Sequence, residues 1–184
     1  SSNKLVTEKI DETGGGISFS LDDKYIFYSK LDKFHRPRQI FRHEIGKSIK
    51  DDKLIFEEKT EAFTVSIGLS SDEKYYFIST SDHNTSEQYF FNSTSKEHKP
   101  KLIKKRKKGV LYSVNSWKNK FYLHTNENAE DFKIDYCEDI IKQNWKSFVP
   151  AKNEVLIGGL VFLSDWIIRS ETSNALGKLI IRNP

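Results

Sequence analysis

Two stretches of the chain, LDDKYIFYSKLD (21–32) and SDEKYYFISTSD (71–82), repeat one phrase about fifty residues apart. When Lys24-Tyr25 is aligned with Lys74-Tyr75, the next two related segments align at Lys120-Phe121 and at Trp166-Ile167. In each copy an apolar run is followed by a polar turn and a second apolar run, and Asp, Asn and Ser between two such runs are typical of hairpins. A third and a fourth apolar run come after longer polar loops, except in the last copy, which has only three. The repeat therefore predicts units of four antiparallel strands.

Units of four strands with this period are typical of β-propeller blades. The predicted fold is all-β, a partial β-propeller of three four-stranded antiparallel blades plus part of a fourth. The predicted repeats cover about residues 17–59, 63–106, 110–150 and 154–183. A meandering β-sandwich with coincidental spacing is the alternative, and four copies in register count against it.

Composition agrees with a strand-rich fold and narrows the classes of function. Aromatic residues make up 13% of the chain, and they suit half-buried, pleated surfaces. The net charge of +4 is too small to indicate nucleic-acid binding, and no apolar run approaches the ~20 residues of a membrane span. A single cysteine fits a reducing compartment, so a cytoplasmic location is expected.

The chain contains no methionine and ends in LIIRNP, directly after a strand-like run. We therefore expect residues 1–184 to be a fragment of the propeller domain of a longer protein. Because blades bury their faces against neighbouring blades, an open arc leaves apolar faces and strand edges exposed. Some self-association of the isolated chain through these edges is predicted.

The reactive residue types in the sequence do not form a recognisable, self-sufficient active site. There is no Gly-x-Ser-x-Gly, and the five histidines are scattered without metal-ligand spacing. Cys137 is predicted to be a packing residue, and Gly14–Gly16 a flexible linker between blades. The basic run Lys104–Lys108 is a nucleic-acid contact, an importin-type signal or a solvated loop, and the low net charge favours the loop. No catalytic, metal-binding or cofactor-binding residue is predicted.

Several longer phrases carry a resemblance to a known family. They are HRPRQIFRHEIG (35–46), KLIFEEK (53–59), TSEQYFF (85–91), GVLYSV (109–114), FYLHTNENAEDFKI (121–134) and WKSFVP (145–150). In this order and spacing they resemble the propeller domain of the oligopeptidase B group, in the prolyl oligopeptidase family of serine peptidases.

The resemblance implies a parent enzyme with a seven-bladed propeller and a C-terminal α/β-hydrolase domain that carries a Ser-Asp-His triad. It implies cleavage of short peptides after Lys or Arg, with the propeller gating access to the hydrolase domain and with no cofactor. No triad motif occurs in this chain, so no catalytic residue is carried over, and the chain alone is expected to be inactive. A stand-alone propeller that binds a protein or peptide is the alternative function.

Equivalent loops at 31–38, 81–87 and 125–131 are predicted to share one face of the propeller. Their charged residues are candidates for interdomain contacts or substrate gating: Arg36, Arg38, Glu87, Glu130 and Asp131. The alternative is that each is an ordinary solvated rim charge, contributing ~0–1 kcal/mol.

Overall fold

The structure is a computed structural model that describes residues 8–183, so both ends of the predicted 1–184 segment lie outside the described residues. Sheet 1 contains β1 (Thr13–Phe19), β2 (Tyr25–Leu31), β3 (Pro37–Glu44) and β4 (Lys53–Glu57). Sheet 2 contains β5 (Thr64–Leu69), β6 (Tyr75–Ser81), β7 (Ser86–Asn92) and β8 (Lys101–Lys104). Sheet 3 contains β9 (Tyr112–Trp117), β10 (Lys120–Thr125), β11 (Lys133–Cys137) and β12 (Lys146–Val149). Sheet 4 contains β13 (Leu156–Phe162), β14 (Ile167–Ser173) and β15 (Leu176–Arg182).

Each sheet is an antiparallel meander whose strands pair in chain order. The predicted all-β fold, with three four-stranded units and part of a fourth, is confirmed. One 3-10 turn at Ile49–Asp51 interrupts the β3–β4 loop. None of the helical segments in residues 8–183 has the length and apolar character that a bilayer-crossing helix requires.

The repeated phrase of the sequence is the first hairpin of sheets 1 and 2. In sheet 1 the Ser20 hydroxyl donates to Asp22 Oδ1 at 2.7 Å and accepts from the backbone N of Tyr25 at 2.9 Å. The same bonds recur in sheet 2 around Ser70, at 2.8 and 3.0 Å. Local side-chain hydrogen bonds of this kind form the turn independently of the surrounding structure. This explains why the same sequence motif occurs in both sheets.

Aromatic and aliphatic side chains fill the space between neighbouring sheets. Phe27 of sheet 1 is buried against Tyr76 and Phe91 of sheet 2, with ring centroids 4.8 and 5.8 Å apart. A second cluster joins sheets 2 and 3 around Phe77 and Phe121, and a third joins sheets 3 and 4. The core is therefore three separate layers between sheets, which is how propeller blades pack.

The predicted equivalence of Tyr75 with Phe121 is wrong by one residue. Tyr76 packs towards sheet 1, and Phe121 of the next sheet packs towards sheet 2, so these two residues are equivalent. The cause is turn length, because Trp117 pairs with Lys120 across a two-residue loop in sheet 3. Since strand side chains alternate, a shift of one residue moves each of them to the opposite face.

Gly14–Gly16 do not form the predicted linker but lie within β1, where the pairing with β2 is irregular between Thr13 and Ile17. A Cβ atom at Gly14 would meet the Ser29 hydroxyl and lie 3.4 Å from Pro37 Cγ. Glycine fits here because the side chains of Ser29 and Pro37 occupy the space that a Cβ atom would need. β13 of sheet 4 has a similar irregularity between Ile157 and Leu160, and Gly158 and Gly159 lie within it.

Substituting Gly158 by alanine is expected to destabilise the chain by about 1–3 kcal/mol, the usual cost of overpacking. A Cβ atom there would lie 3.1 Å from the Ser170 carbonyl oxygen and closer still to the Ser170 hydroxyl. Gly159→Ala is the matched control, because nothing lies within 4 Å of its Cβ position. Urea unfolding of both variants measures the difference, and equal stabilities would contradict this packing.

The meander places two kinds of connection at opposite ends of the sheets. We call one end the loop face: it carries the loops 32–36, 82–85 and 126–132 and the connections between consecutive sheets. We call the other end the hairpin face: it carries the first hairpin and the β3–β4 type loop of each sheet. Large apolar side chains are exposed on the outer sides of the terminal sheets, including Ile17 at 54% and Leu179 at 73%.

Candidate functional site

The loop face brings together the loops that hold the candidate residues. In the loop 32–36, Asp32 Oδ1 accepts hydrogen bonds from the backbone N of Phe34 at 2.8 Å and of Arg36 at 3.0 Å. The Arg36 guanidinium bonds Asp32 Oδ2 through Nη2 at 3.0 Å and donates from Nη1 to the Glu61 carbonyl at 2.7 Å. The loop is thus tied to itself and to the connection to sheet 2. It presents Phe34 with 58% of its surface exposed.

Arg38 is bonded to the same connection. Its Nη1 donates to the Phe63 carbonyl at 2.9 Å and to the Thr60 carbonyl. Arg36 and Arg38 both line a cleft of about 610 Å³ between the loop 32–36 and residues 57–61. The other charged groups of this cleft are Asp32, Lys33, Glu57, Glu58, Lys59 and Glu61. The cleft presents charges of both signs beside an exposed aromatic ring.

Glu87 is not the exposed loop residue that was predicted. It lies in β7 and is 5% exposed, because the preceding loop ends before Ser86. Arg106 donates to Glu87 Oε2 through Nε at 3.1 Å and Nη2 at 2.8 Å. The same Nη2 donates to Glu58 Oε2 at 2.6 Å. Glu58, Glu87 and Arg106, which we call the carboxylate–guanidinium cluster, link the ends of sheets 1 and 2.

The basic run 104–108 is likewise not simply the solvated loop that was predicted. The Arg106 side chain is 24% exposed, and its guanidinium carbon lies 4.1 Å from the Phe63 ring centroid. Lys104 is bonded to Glu127 in the loop of sheet 3. Lys107 Nζ also lies 3.8 Å from Glu127 Oε1. Three of the five basic residues therefore join consecutive sheets, while Lys105 and Lys108 are exposed.

Hydrogen bonding decides the charge of the carboxylate–guanidinium cluster. Burial acts to raise the pKa of Glu58, but bonds from Arg106, Thr80 and Thr60 outweigh burial and lower it to about 2. The pKa of Glu87 is lowered by the same balance, in which burial is outweighed by bonds from Arg106 and Tyr89. Both carboxylates are therefore ionised at neutral pH. Arg106 Nη1 is buried and has no hydrogen-bond partner among residues 8–183.

Glu130 and Asp131 lie in the loop 126–132 of sheet 3. Glu130 is exposed, and neither carboxylate has a cationic nitrogen of residues 8–183 within 4.0 Å. The Asp131 carbonyl accepts from the backbone N of Ile157 at 2.8 Å, which joins this loop to sheet 4. These two side chains are therefore available to a partner, whereas Glu87 is not.

The described residues offer no nucleophile poised for catalysis. Cys137 is 1% exposed, and burial raises the pKa of its thiol to about 11, as suits the predicted packing residue. His124 Nε2 donates to the Ile157 carbonyl at 2.7 Å, and the His124 ring stacks on Phe132. Among residues 8–183, no three His, Cys, Asp or Glu side chains converge in a way that could hold a metal ion. The loop face carries charged and aromatic side chains on loops that are held by hydrogen bonds to neighbouring segments.

Glu58 and Arg106 were missed in the sequence, although a signal for them exists. Both follow the fourth strand of a sheet, where the chain crosses to the next one. Lys152 follows β12 in the same way, and its Nζ lies 3.0 Å from Glu171 Oε1 of sheet 4. A charged residue just after each fourth strand therefore indicates a contact between sheets.

The four sheets, packed face to face with a shared loop face, define the chain as part of a β-propeller domain. The family model described as prolyl oligopeptidase, N-terminal beta-propeller domain, matches residues 1–183, and the chain belongs to this family. The resemblance read from the sequence and the predicted partial β-propeller are both confirmed.

Individual relatives agree with the family. The chain is 32% identical over 147 residues to Protease 2 of Moraxella lacunata, an alignment that covers 73% of this chain and 21% of the relative. It is 23% identical over 180 residues to dipeptidyl aminopeptidase BI of Pseudoxanthomonas mexicana, covering 96% of this chain and 25% of that protein. The chain thus spans about a quarter or less of the length of these curated relatives.

Solved structures show the same fold. Oligopeptidase B from Trypanosoma brucei, in its closed form with covalently bound antipain, matches with a TM-score of 0.91 at 21% identity, over 97% of this chain and 26% of that one. Oligopeptidase B from Leishmania major matches with a TM-score of 0.92 at 20% identity, over 98% of this chain and 26% of that one.

Proposed function

We propose that this chain is the non-catalytic propeller segment of an oligopeptidase B-like serine endopeptidase that cleaves short peptides after Lys or Arg. In the parent protein, which we expect to be cytoplasmic, the propeller gates access to a C-terminal α/β-hydrolase domain. That domain performs acyl transfer with a serine nucleophile and a histidine base. The observation that supports the proposal most is the 32% identity with Protease 2.

The loop face suits the part of this gate that meets the hydrolase domain. A domain that closes over an active site excludes water and folded proteins and admits short, flexible chains. Such a surface has to be rigid, and the bonds of Arg36 and Arg38 to the connection between sheets 1 and 2 make it so. We propose that Arg36, Arg38, Glu130 and Asp131 face the hydrolase domain or the substrate. Glu87 contributes indirectly to this surface, through its hydrogen bonds with Arg106.

The test is the activity of the full-length parent protein on fluorogenic peptides with Arg, Lys or Pro before the scissile bond. Turnover of the Arg and Lys peptides, abolished by a serine-peptidase inhibitor, is the expected result. A folded protein with exposed Arg and Lys residues should stay intact if the propeller is a gate. Preference for the Pro peptide would overturn the proposed specificity, and cleavage of the folded protein would overturn the gating.

The present chain alone should give no turnover above buffer on the same peptides, because the described residues present no activated nucleophile. Activity that survives repurification and responds to the inhibitor would contradict its assignment as a non-catalytic segment.

A second candidate is a stand-alone propeller that binds a protein or peptide. The exposed Phe34 beside the 610 Å³ cleft favours it, because a rigid aromatic ring beside charged groups is typical of a binding surface. The full reading frame of the parent gene distinguishes the peptidase segment from the stand-alone binding module. A Gly-x-Ser-x-Gly segment followed by Asp and His supports the peptidase, and a stop soon after the remaining blades supports the binding module.

A further inference from the structure

A second cavity, of about 490 Å³, opens on the hairpin face between sheets 1 and 2. One wall is the β1–β2 hairpin, and the other is the loop that joins β7 to β8. Its polar lining has more positive than negative charge, and three consecutive hydroxyls contribute to it. The polar lining residues are Ser20, Asp22, Lys24, Tyr25, Arg42, Ser93, Thr94, Ser95, Lys96 and His98.

His98 is the buried polar group of this cavity. Only 6% of it is exposed, and its ring lies edge-on to Phe27 and Phe91 with centroids 5.2 and 5.6 Å apart. Its Nδ1 lies 2.9 Å from Arg42 Nη1, and because a guanidinium nitrogen only donates, Nδ1 accepts. Burial and then Arg42 lower the pKa of His98, so the ring is neutral at pH 7 and carries its proton on Nε2. No acceptor for that proton is found within residues 8–183.

Arg42 is the second important group of the cavity, and its hydrogen bond to His98 supplies no negative charge. Its guanidinium carbon lies 4.3 Å from the Tyr25 ring centroid, on a half-buried side chain. No carboxylate oxygen of residues 8–183 lies within 4.0 Å of its nitrogens, and its cross-strand neighbour on β4 is Lys53, another cation. A half-buried guanidinium without an anion is unfavourable, and a bound anion would relieve that cost.

The carboxylate among the lining residues of this cavity already has a hydrogen-bond donor and a cation as partners. Asp22 accepts from the Ser20 hydroxyl at 2.7 Å and pairs with Lys24 at 3.2 Å. Lys24, Arg42 and Lys96 together exceed this single negative charge by two. A ligand with two negative charges would therefore neutralise the cavity.

We infer that this cavity is a binding site for a phosphate dianion or a small phosphate ester, held by the Arg42 guanidinium and the His98 Nε2 proton. The planar donors of Arg42 match phosphate oxygens, and the hydroxyls of Ser93 and Ser95 supply further donors, whereas the Thr94 hydroxyl already donates to Asn92 Oδ1 at 2.6 Å. The volume exceeds that of phosphate itself and leaves room for a small organic group. The site lies at the opposite end of the sheets from the loop face, so it is independent of the proposed peptidase function.

The test is calorimetric titration of the purified chain with inorganic phosphate at low salt, where surface charges are least screened. We expect one site with a dissociation constant on the order of 1 mM. Arg42→Gln should weaken binding at least tenfold, and the double variant Lys24→Gln/Lys96→Gln should weaken it several-fold. Lys33→Gln, on the loop face, is the control and should leave the affinity unchanged.

Titration with phosphoserine distinguishes the two sources of the ligand. Tighter binding than inorganic phosphate identifies an ester, and weaker binding identifies the free ion. Absence of saturable phosphate binding at about 20 mM, well above the expected dissociation constant, would overturn the inference. Equal affinity of the native chain and Arg42→Gln would do so as well. If circular dichroism shows that Arg42→Gln is unfolded, the Lys24/Lys96 variant decides, and an unchanged affinity there rejects the site.

Discussion

Replacing Arg106 by alanine is expected to destabilise the chain by about 3–5 kcal/mol, the usual cost of removing one partner from a buried ion pair. The reason is that Glu58 and Glu87, which are 5% exposed each, would keep their charges without the guanidinium that both contact. The variant also loses the cation–π contact with Phe63. Urea unfolding followed by tryptophan fluorescence measures the change.

Lys105→Ala is the matched control, since it removes a neighbouring cation from the same basic run. Lys105 is exposed, and substitutions at such positions usually change stability by no more than about 0.5 kcal/mol. Equal effects of the two substitutions would mean that the run acts only through its overall charge, which contradicts the contacts of Arg106.

The pH dependence of stability tests the carboxylate–guanidinium cluster in a second way. The pKa of Glu58 is about 2 in the folded chain, below its ordinary value of 4.5. The stability that this group contributes is therefore complete above pH 4.5 and is lost as pH falls towards about 2. In Arg106→Ala this acid-dependent loss should shrink, because the bond that holds the pKa low is gone. An unchanged pH profile would contradict the role given to Arg106.

Replacing Phe27 by alanine is also expected to cost about 3–5 kcal/mol, the range for removing a buried aromatic side chain. Phe27 is fully buried, and its ring meets those of Tyr76, Phe91 and His98 at centroid distances of 4.8, 5.8 and 5.2 Å. These contacts join sheet 1 to sheet 2. Amide hydrogen exchange should therefore show the largest loss of protection in those two sheets, and urea unfolding gives the overall cost.

Phe34→Ala is the control for this prediction, because Phe34 is 58% exposed on the loop face. It should change the free energy of unfolding by less than about 0.5 kcal/mol. A Phe27→Leu variant, which keeps most of the volume, should fall between the two. If Phe27→Ala cost no more than Phe34→Ala, the layer between sheets 1 and 2 would not be a core.

The division into units could be predicted from the sequence because its determinants are local. Ser20 and Asp22 close their hairpin with bonds inside six residues, and Ser70 and Asp72 do the same. The strand count followed from these turns and from the apolar runs beside them. The equivalence of individual residues did not, because the first hairpins differ in length: six residues lie between the paired Leu69 and Tyr76 of sheet 2, but only two between Trp117 and Lys120 of sheet 3.

The candidate site was harder to predict because several of its residues are far apart in the sequence. Arg36 lies in a loop and Arg38 at the start of β3 rather than in the predicted loop 31–38, and both were found because they are close together in the sequence. Glu58, Glu87 and Arg106 are far apart in the chain and meet only where two sheets join. Glu87 was therefore assigned to an exposed loop, and Arg106 to a solvated basic run, although each is the partner of the other.

The amino-acid sequence by itself determined the all-β class, the repeated strand–turn–strand units and the family, because short-range turn chemistry and alternating apolar residues are written along the chain. Only the tertiary structure decided which charges are buried and paired and which are free, as with Glu87 against Glu130. It also brought Arg42 and His98 to one cavity. These outcomes depend on packing between sheets, where desolvation makes the presence or absence of a partner decisive.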